Sequence, residues 1–103
     1  EAAAIDEALK RDNPKDFRIY LDLGVIYTSL GKLDLAEENL ARAVEISPSP
    51  ETHFNYAVIL ERVGKLAEAA KHLRLYLQQT PEGETQRKAE ARKALADWEK
   101  RLR

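Results

Sequence analysis

The segment "GKLDLA" beginning at Gly31 returns as "GKLAEA" from Gly64, 33 residues later. Such a recurrence constrains the fold more than any other feature of the chain. A unit with a period of roughly 20–50 residues cannot bury its own apolar face and must stack on its neighbours. The same offset carries Tyr20 to His53, Leu23 to Tyr56, Gly24 to Ala57 and Tyr27 to Leu60. It also carries Ala36 to Ala69, Leu40 to Leu73, Ala43 to Tyr76 and Pro48 to Pro81. A chance likeness between two helices does not produce so many coincident positions.

Within each unit the apolar residues follow three- and four-residue steps, as in Tyr20, Leu23, Gly24, Tyr27, Leu30 and again in Leu33, Ala36, Leu40, Ala43, Val44. Gly31 and Gly64 fall where one helix must end in a tight turn before the next begins. Pro14, Pro48 and Pro81 each close a helix, since proline lacks the backbone donor and disfavours helical geometry in the residue before it. The pattern predicts six helices over about 1–12, 15–30, 33–46, 51–63, 66–79 and 84–102, arranged as hairpins.

The run from Phe17 to Pro48, with Tyr20, "LG" at 23–24, Tyr27, Gly31, Ala36, Leu40, Ala43 and Pro48, resembles a tetratricopeptide repeat (TPR). The second copy, Pro50 to Pro81, departs further: His53 takes the large aromatic slot, Leu60 replaces Tyr, and Tyr76 stands where a small Ala is usual. Its entry linker is one residue shorter as well. The resemblance implies an all-α, right-handed α-solenoid of antiparallel helical hairpins, forming a single domain over 1–103. Two full repeats, 17–48 and 50–81, would lie between a half-repeat helix in 1–14 and a capping helix in 84–103. Ile5, Ala8 and Leu9 would belong to the half-repeat. The cap would place Ala91, Leu95, Trp98 and Leu102 on one stripe, as the end of an open array requires.

Composition removes most other function classes. The chain has no cysteine, so it has no disulfide framework, thiolate nucleophile or cysteine-based zinc site. No apolar stretch approaches the roughly 20 residues of a membrane span. There is no methionine, and Glu1 falls inside a helical pattern, so the sequence reads as a piece of a longer protein. The net charge of -1 divides unevenly: residues 1–52 hold six basic and eleven acidic side chains, residues 53–103 eleven and seven. The seven basic residues from Arg87 to Arg103 alternate with Glu90, Asp97 and Glu99, as the cation-favouring end of a helix does, and nucleic acid is not expected as a partner.

No chemistry converges. His53 and His72 are 19 apart, lack the spacing of a metal-ligand pair, and read as structural, with His72 on the outer face beside Lys71. Glu37, Glu38 and Glu68 read as solvated carboxylates, the glycines as helix turns, and Ser29, Ser47 and Ser49 have no histidine placed beside them. Neither catalysis nor a cofactor nor a metal is expected.

What remains is a surface. In the family resembled, the first helix of each unit lines the concave side. The 100° step sets Arg18, Leu21, Asp22, Val25, Thr28 and Ser29 opposite the hairpin core in the first unit, and Glu51, Phe54, Asn55, Val58, Glu61 and Arg62 in the second. Leu21 with Val25, and Phe54 with Val58, are pairs one turn apart at matching positions, so stacking would lay them side by side in a groove. A peptide or helix with two or three apolar anchors suits it. Each anchor contributes about 1.5–3 kcal/mol before ordering costs, which points to micromolar affinity. The alternative is a structural role, in which the same patch mediates self-association or packing against neighbouring repeats. The terminal-carboxylate clamp of chaperone-binding relatives is not expected, because Leu21, Val25 and Ala89 stand in its places and only Asn55 agrees.

Overall fold

The computed structural model describes residues 2–80, 83 and 85–103. Among these described residues six helices follow one another: α1 Ala2–Asp12, α2 Phe17–Ser29, α3 Leu33–Ile46, α4 Pro50–Arg62, α5 Leu66–Gln79 and α6 Gln86–Arg101. The stop expected at Pro81 lies outside the described residues. The starts of α2, α4 and α6 are set by side-chain caps, whereas α3 and α5 begin without one, where the apolar pattern places them. Asp16 accepts the Arg18 amide, so α2 begins at Phe17 instead of residue 15, and Thr85 accepts the Lys88 amide at the head of α6.

The closest packing is between α2 and α3 and between α4 and α5, and these are the two hairpins. Helix α3 packs on α4 to join them, while α1 and α6 cover the outer flanks of α2 and α5. The result is an α-solenoid measuring 41 × 28 × 21 Å. Gly31 and Gly64 take φ of 75° and 87° at the two hairpin turns, a conformation that side-chain-bearing residues rarely adopt. Gly24 serves a different end. It lies inside α2 at the crossing with α3, where a Cβ would overlap the Leu40 side chain.

The core is in two parts. The first gathers Leu23, Tyr27, Leu40 and Ala43 with Ala3 of α1 and Ile59 of α4, and the second gathers Leu60, Leu73 and Tyr76 with Ala91 and Trp98 of α6. Tyr56 packs against both. Ile59 is fully buried in the first hairpin's core although it belongs to the second, so it packs across the join between the two hairpins.

The shorter second linker is accommodated by Ser49 and Thr52. Ser49 caps α4, with Pro50 at its first turn. The fully buried Thr52 hydroxyl donates to the Ser47 carbonyl at 2.7 Å and accepts the Ser49 amide at 2.9 Å. One side chain thus satisfies backbone groups that a longer linker would leave to water.

At the flanks the expected apolar faces are partly open. Ala3 is the buried residue of α1, whereas Ile5 and Leu9 are 62% and 43% exposed. In α6, Ala91 and Trp98 are buried and Leu95 half-buried, but Leu102 is 44% exposed. As the C-cap it still bonds back to the Trp98 carbonyl and borders the α4–α5 turn at Gly64–Glu68, but that turn covers it only in part.

Candidate functional site

Helix α2 presents Arg18, Asp22 and Val25 to solvent, with Val25 47% exposed, and Thr28 is half-buried with its hydroxyl donating to the Gly24 carbonyl. Helix α4 presents Glu51 and Arg62 to solvent, while Phe54, Asn55 and Val58 are half-buried. Asn55 donates its side-chain amide back to the Glu51 carbonyl at 2.9 Å.

Leu21 corrects the expectation. The helical step places it on the open arc, yet it is 8% exposed and joins the first core cluster together with Ile59 of α4. The first helix of a stacked hairpin packs on its own partner and also on the next unit, so its buried arc is wider than that of a helix with one neighbour. Phe54, at the matching position, is held for the same reason. Its ring lies 5.0 Å from that of Tyr76, and the Arg87 guanidinium sits 4.7 Å above it.

Phe54 and Val58 form one side of a cleft of about 150 Å³ closed by Leu73 of α5 and by Arg87, Glu90, Ala91, Ala94 and Trp98 of α6. The α6 wall was not assigned from the sequence, although the signal was present. Arg87, Ala91 and Ala94 follow Phe54, Val58 and Glu61 at the same 33-residue offset, so the capping helix continues the register of α2 and α4. A larger depression of about 470 Å³ borders Gly31–Leu35, and among the described residues only the α2–α3 turn and the first turn of α3 line it.

The charge along this face is uneven. The Asp22 carboxyl is pushed above the usual range, first by partial burial and then by the like charges of Asp6, Asp16 and Glu51. Toward α6 the cleft carries Arg87 and Glu90 instead.

His72 is a second correction. Rather than facing outward, it approaches His53 with its Nδ1 2.8 Å from the other Nδ1, the rings stacked at 5.0 Å, and Tyr56 meets it edge-on at 4.8 Å. Burial lowers the pKa of both, and for His72 the nearby His53 and Lys71 lower it further while Glu68 opposes them. Among the described residues no group of three His, Cys, Asp or Glu side chains could hold a metal ion.

A family model described as tetratricopeptide repeat matches residues 2–51 and again 30–84. The chain belongs to the tetratricopeptide repeat family. TPR proteins generally act by binding other proteins. Among solved structures the chain resembles TTC0263, a thermophilic TPR protein of Thermus thermophilus, at 27% identity and a TM-score of 0.75 over 94% of this chain and 47% of that one. It thus spans about half the length of the Thermus protein. The Yersinia enterocolitica type III secretion translocator chaperone SycD aligns at 23% identity and a TM-score of 0.88, over 98% of this chain and 72% of that one. MamA of MSR-1 aligns at 23% and 0.77, over 97% and 55%. At these identities the last two establish a shared TPR architecture. No curated protein sequence matches the chain.

Proposed function

We propose that residues 1–103 act as one non-enzymatic interaction module that holds a peptide or helix of a partner protein across the concave face of α2, α4 and α6. The observation that carries this is the row formed by Val25, Val58 and Ala91. These residues occupy one repeat position in three successive helices, and the row passes from an exposed valine into a cleft that α6 borders without filling. An exposed valine at such a position adds nothing to either hairpin core, whereas a partner's side chain laid against it and into the cleft would leave water. Arg18, Asp22, Glu51, Asn55 and Arg62 would form the polar rim, and Leu21 would support the floor from beneath. The resemblance to a secretion chaperone, a protein that acts on other proteins, is consistent with such a role.

The test is a peptide-display selection on the chain, followed by titration of the enriched peptides against Val25→Asp/Val58→Asp. Loss of binding with unchanged helical circular dichroism is expected. Retained binding would remove the groove from consideration.

One observation favours the alternative of self-association or packing within a longer array: Ile5 and Leu9 lie one turn apart on the outer flank of α1, both exposed. Sedimentation across a concentration series separates the two. A monomer at every concentration speaks for partner binding, and a dimer that dissociates in Ile5→Asp speaks for association through α1.

A further inference from the structure

His53 and His72 are the only histidines of the chain, and the fold brings them together from α4 and α5. Their Nδ1 atoms stand 2.8 Å apart, so one ring carries its hydrogen on Nδ1 and the other offers a lone pair there. Packing holds both rings in place. His53 is buried and stacked against His72, and Tyr56 meets His72 edge-on. His72 is half-buried, so the pair reaches solvent from its side. None of the residues assigned to the groove takes part.

We propose that the two Nδ1 atoms of His53 and His72 form a binding site for a divalent transition-metal ion that holds its ligands at right angles, copper(II) or nickel(II). The spacing selects this class. With a metal–nitrogen bond of about 2.0 Å, as in zinc–imidazole sites, two nitrogens at a right angle lie ~2.8 Å apart and two at the tetrahedral angle ~3.3 Å. The observed 2.8 Å is the right-angle value, and imidazole nitrogens in a tetragonal arrangement suit copper(II) and nickel(II). A tetrahedral zinc ion would have to push the rings apart. Among the described residues no third His, Cys, Asp or Glu completes a metal-holding group with them, so the remaining positions on the ion fall to water.

Entry of the ion requires no proton to leave. The ring that carries hydrogen on Nδ1 moves it to Nε2, and both Nδ1 lone pairs then face the metal. Burial already favours the neutral form of both rings, which is the form that binds. Of the charged side chains that act on His72, Lys71 beside it opposes a cation, and Glu68, one turn earlier on α5, favours one. An ion held there ties α4 to α5 and is gained only by the folded chain, since unfolding separates the two rings.

The experiment is titration of the intact chain, free of any histidine tag, with copper(II), nickel(II) and zinc(II) salts, read by calorimetry and, for copper, by electron paramagnetic resonance. One copper per chain is expected, its signal split by two imidazole nitrogens, and nickel should be held more tightly than zinc. Heavy-isotope nitrogen placed in histidine alone should change that splitting, a readout that needs no mutation. His53→Phe and His72→Gln should each weaken copper binding about tenfold or more, with circular dichroism confirming the helices. Where a variant does not fold, the label decides alone. A splitting indifferent to the label, or an affinity that a folded variant retains, would put the copper elsewhere on the chain and overturn the site. Zinc held as tightly as nickel would overturn the right-angle geometry, and a chain that binds none of the three ions at millimolar concentration would overturn the proposal altogether.

Discussion

In the first hairpin Tyr20 occupies the outer slot of its helix and donates its hydroxyl to the Pro14 carbonyl at 2.9 Å. In the second the same position is His53, buried against His72. Where α2 crosses α3 the first hairpin requires Gly24, whereas the second accommodates Ala57. Tyr76 replaces the small Ala43 and packs against Phe54, so the second hairpin places two aromatic rings together where the first has Leu21 and Ala43, and the first instead seats the Leu40 side chain against Gly24. The same arrangement of helices therefore tolerates different fillings, provided that volume and hydrogen-bonding groups are balanced within each unit.

The sharpest way to break this comparison is at the repeat pair Ile26 and Ile59. Ile59→Ala should cost about 2–5 kcal/mol, because it empties a fully buried site between hairpins, and the half-buried Ile26→Ala roughly half of that. Equal losses in urea melts would mean that Ile59 does not hold the stack. Next in size is Gly24→Ala, which should destabilise by about 1–3 kcal/mol through overlap with Leu40. The mirror change Ala57→Gly should cost about 1 kcal/mol from helix propensity alone. A neutral Gly24→Ala would show that the first crossing can open. Ser49→Ala removes the cap of the shorter linker and should cost about 1 kcal/mol, measurable in the same melts.

The smallest effect is pH dependence confined to the second hairpin. His53 and His72 have depressed pKa values in the fold, so the unfolded chain binds protons that the native chain resists. Stability is therefore held above the ordinary histidine value of 6.5 and declines as pH falls through it toward the lower native values. The thermal midpoint should be about 5 °C lower at pH ~5.5 than at pH ~7.5. His53→Phe should weaken the dependence without abolishing it, because it removes one of the two buried imidazoles while burial still lowers the pKa of His72. A parent chain whose midpoint does not move over that interval would mean that the two imidazoles are not buried in solution.

Much of the fold was legible because the signals are local. Gly31 and Gly64 mark turns that need positive φ, the prolines break helices, and the 33-residue spacing reveals stacking before any contact is known. Helix starts at Phe17 and Gln86 were less legible, since a cap is one hydrogen bond rather than a periodic pattern. Among the residues of the proposed groove, Val25 and Val58 could be placed from the helical step. Leu21 and His72 could not, because their burial depends on which neighbour lies over them.

The sequence by itself determined the number of helices, their pairing into hairpins and the repeat position shared by Val25, Val58 and Ala91, all of which follow from spacing along one chain. Only the tertiary structure decided that Leu21 is covered, that His53 and His72 meet across α4 and α5, and that α6 supplies the far wall of the cleft. Spacing fixes the direction in which a side chain leaves its own helix. Whether that direction ends in water or in protein depends on the distance and tilt of the next helix, which are settled when all the side chains between them pack at once.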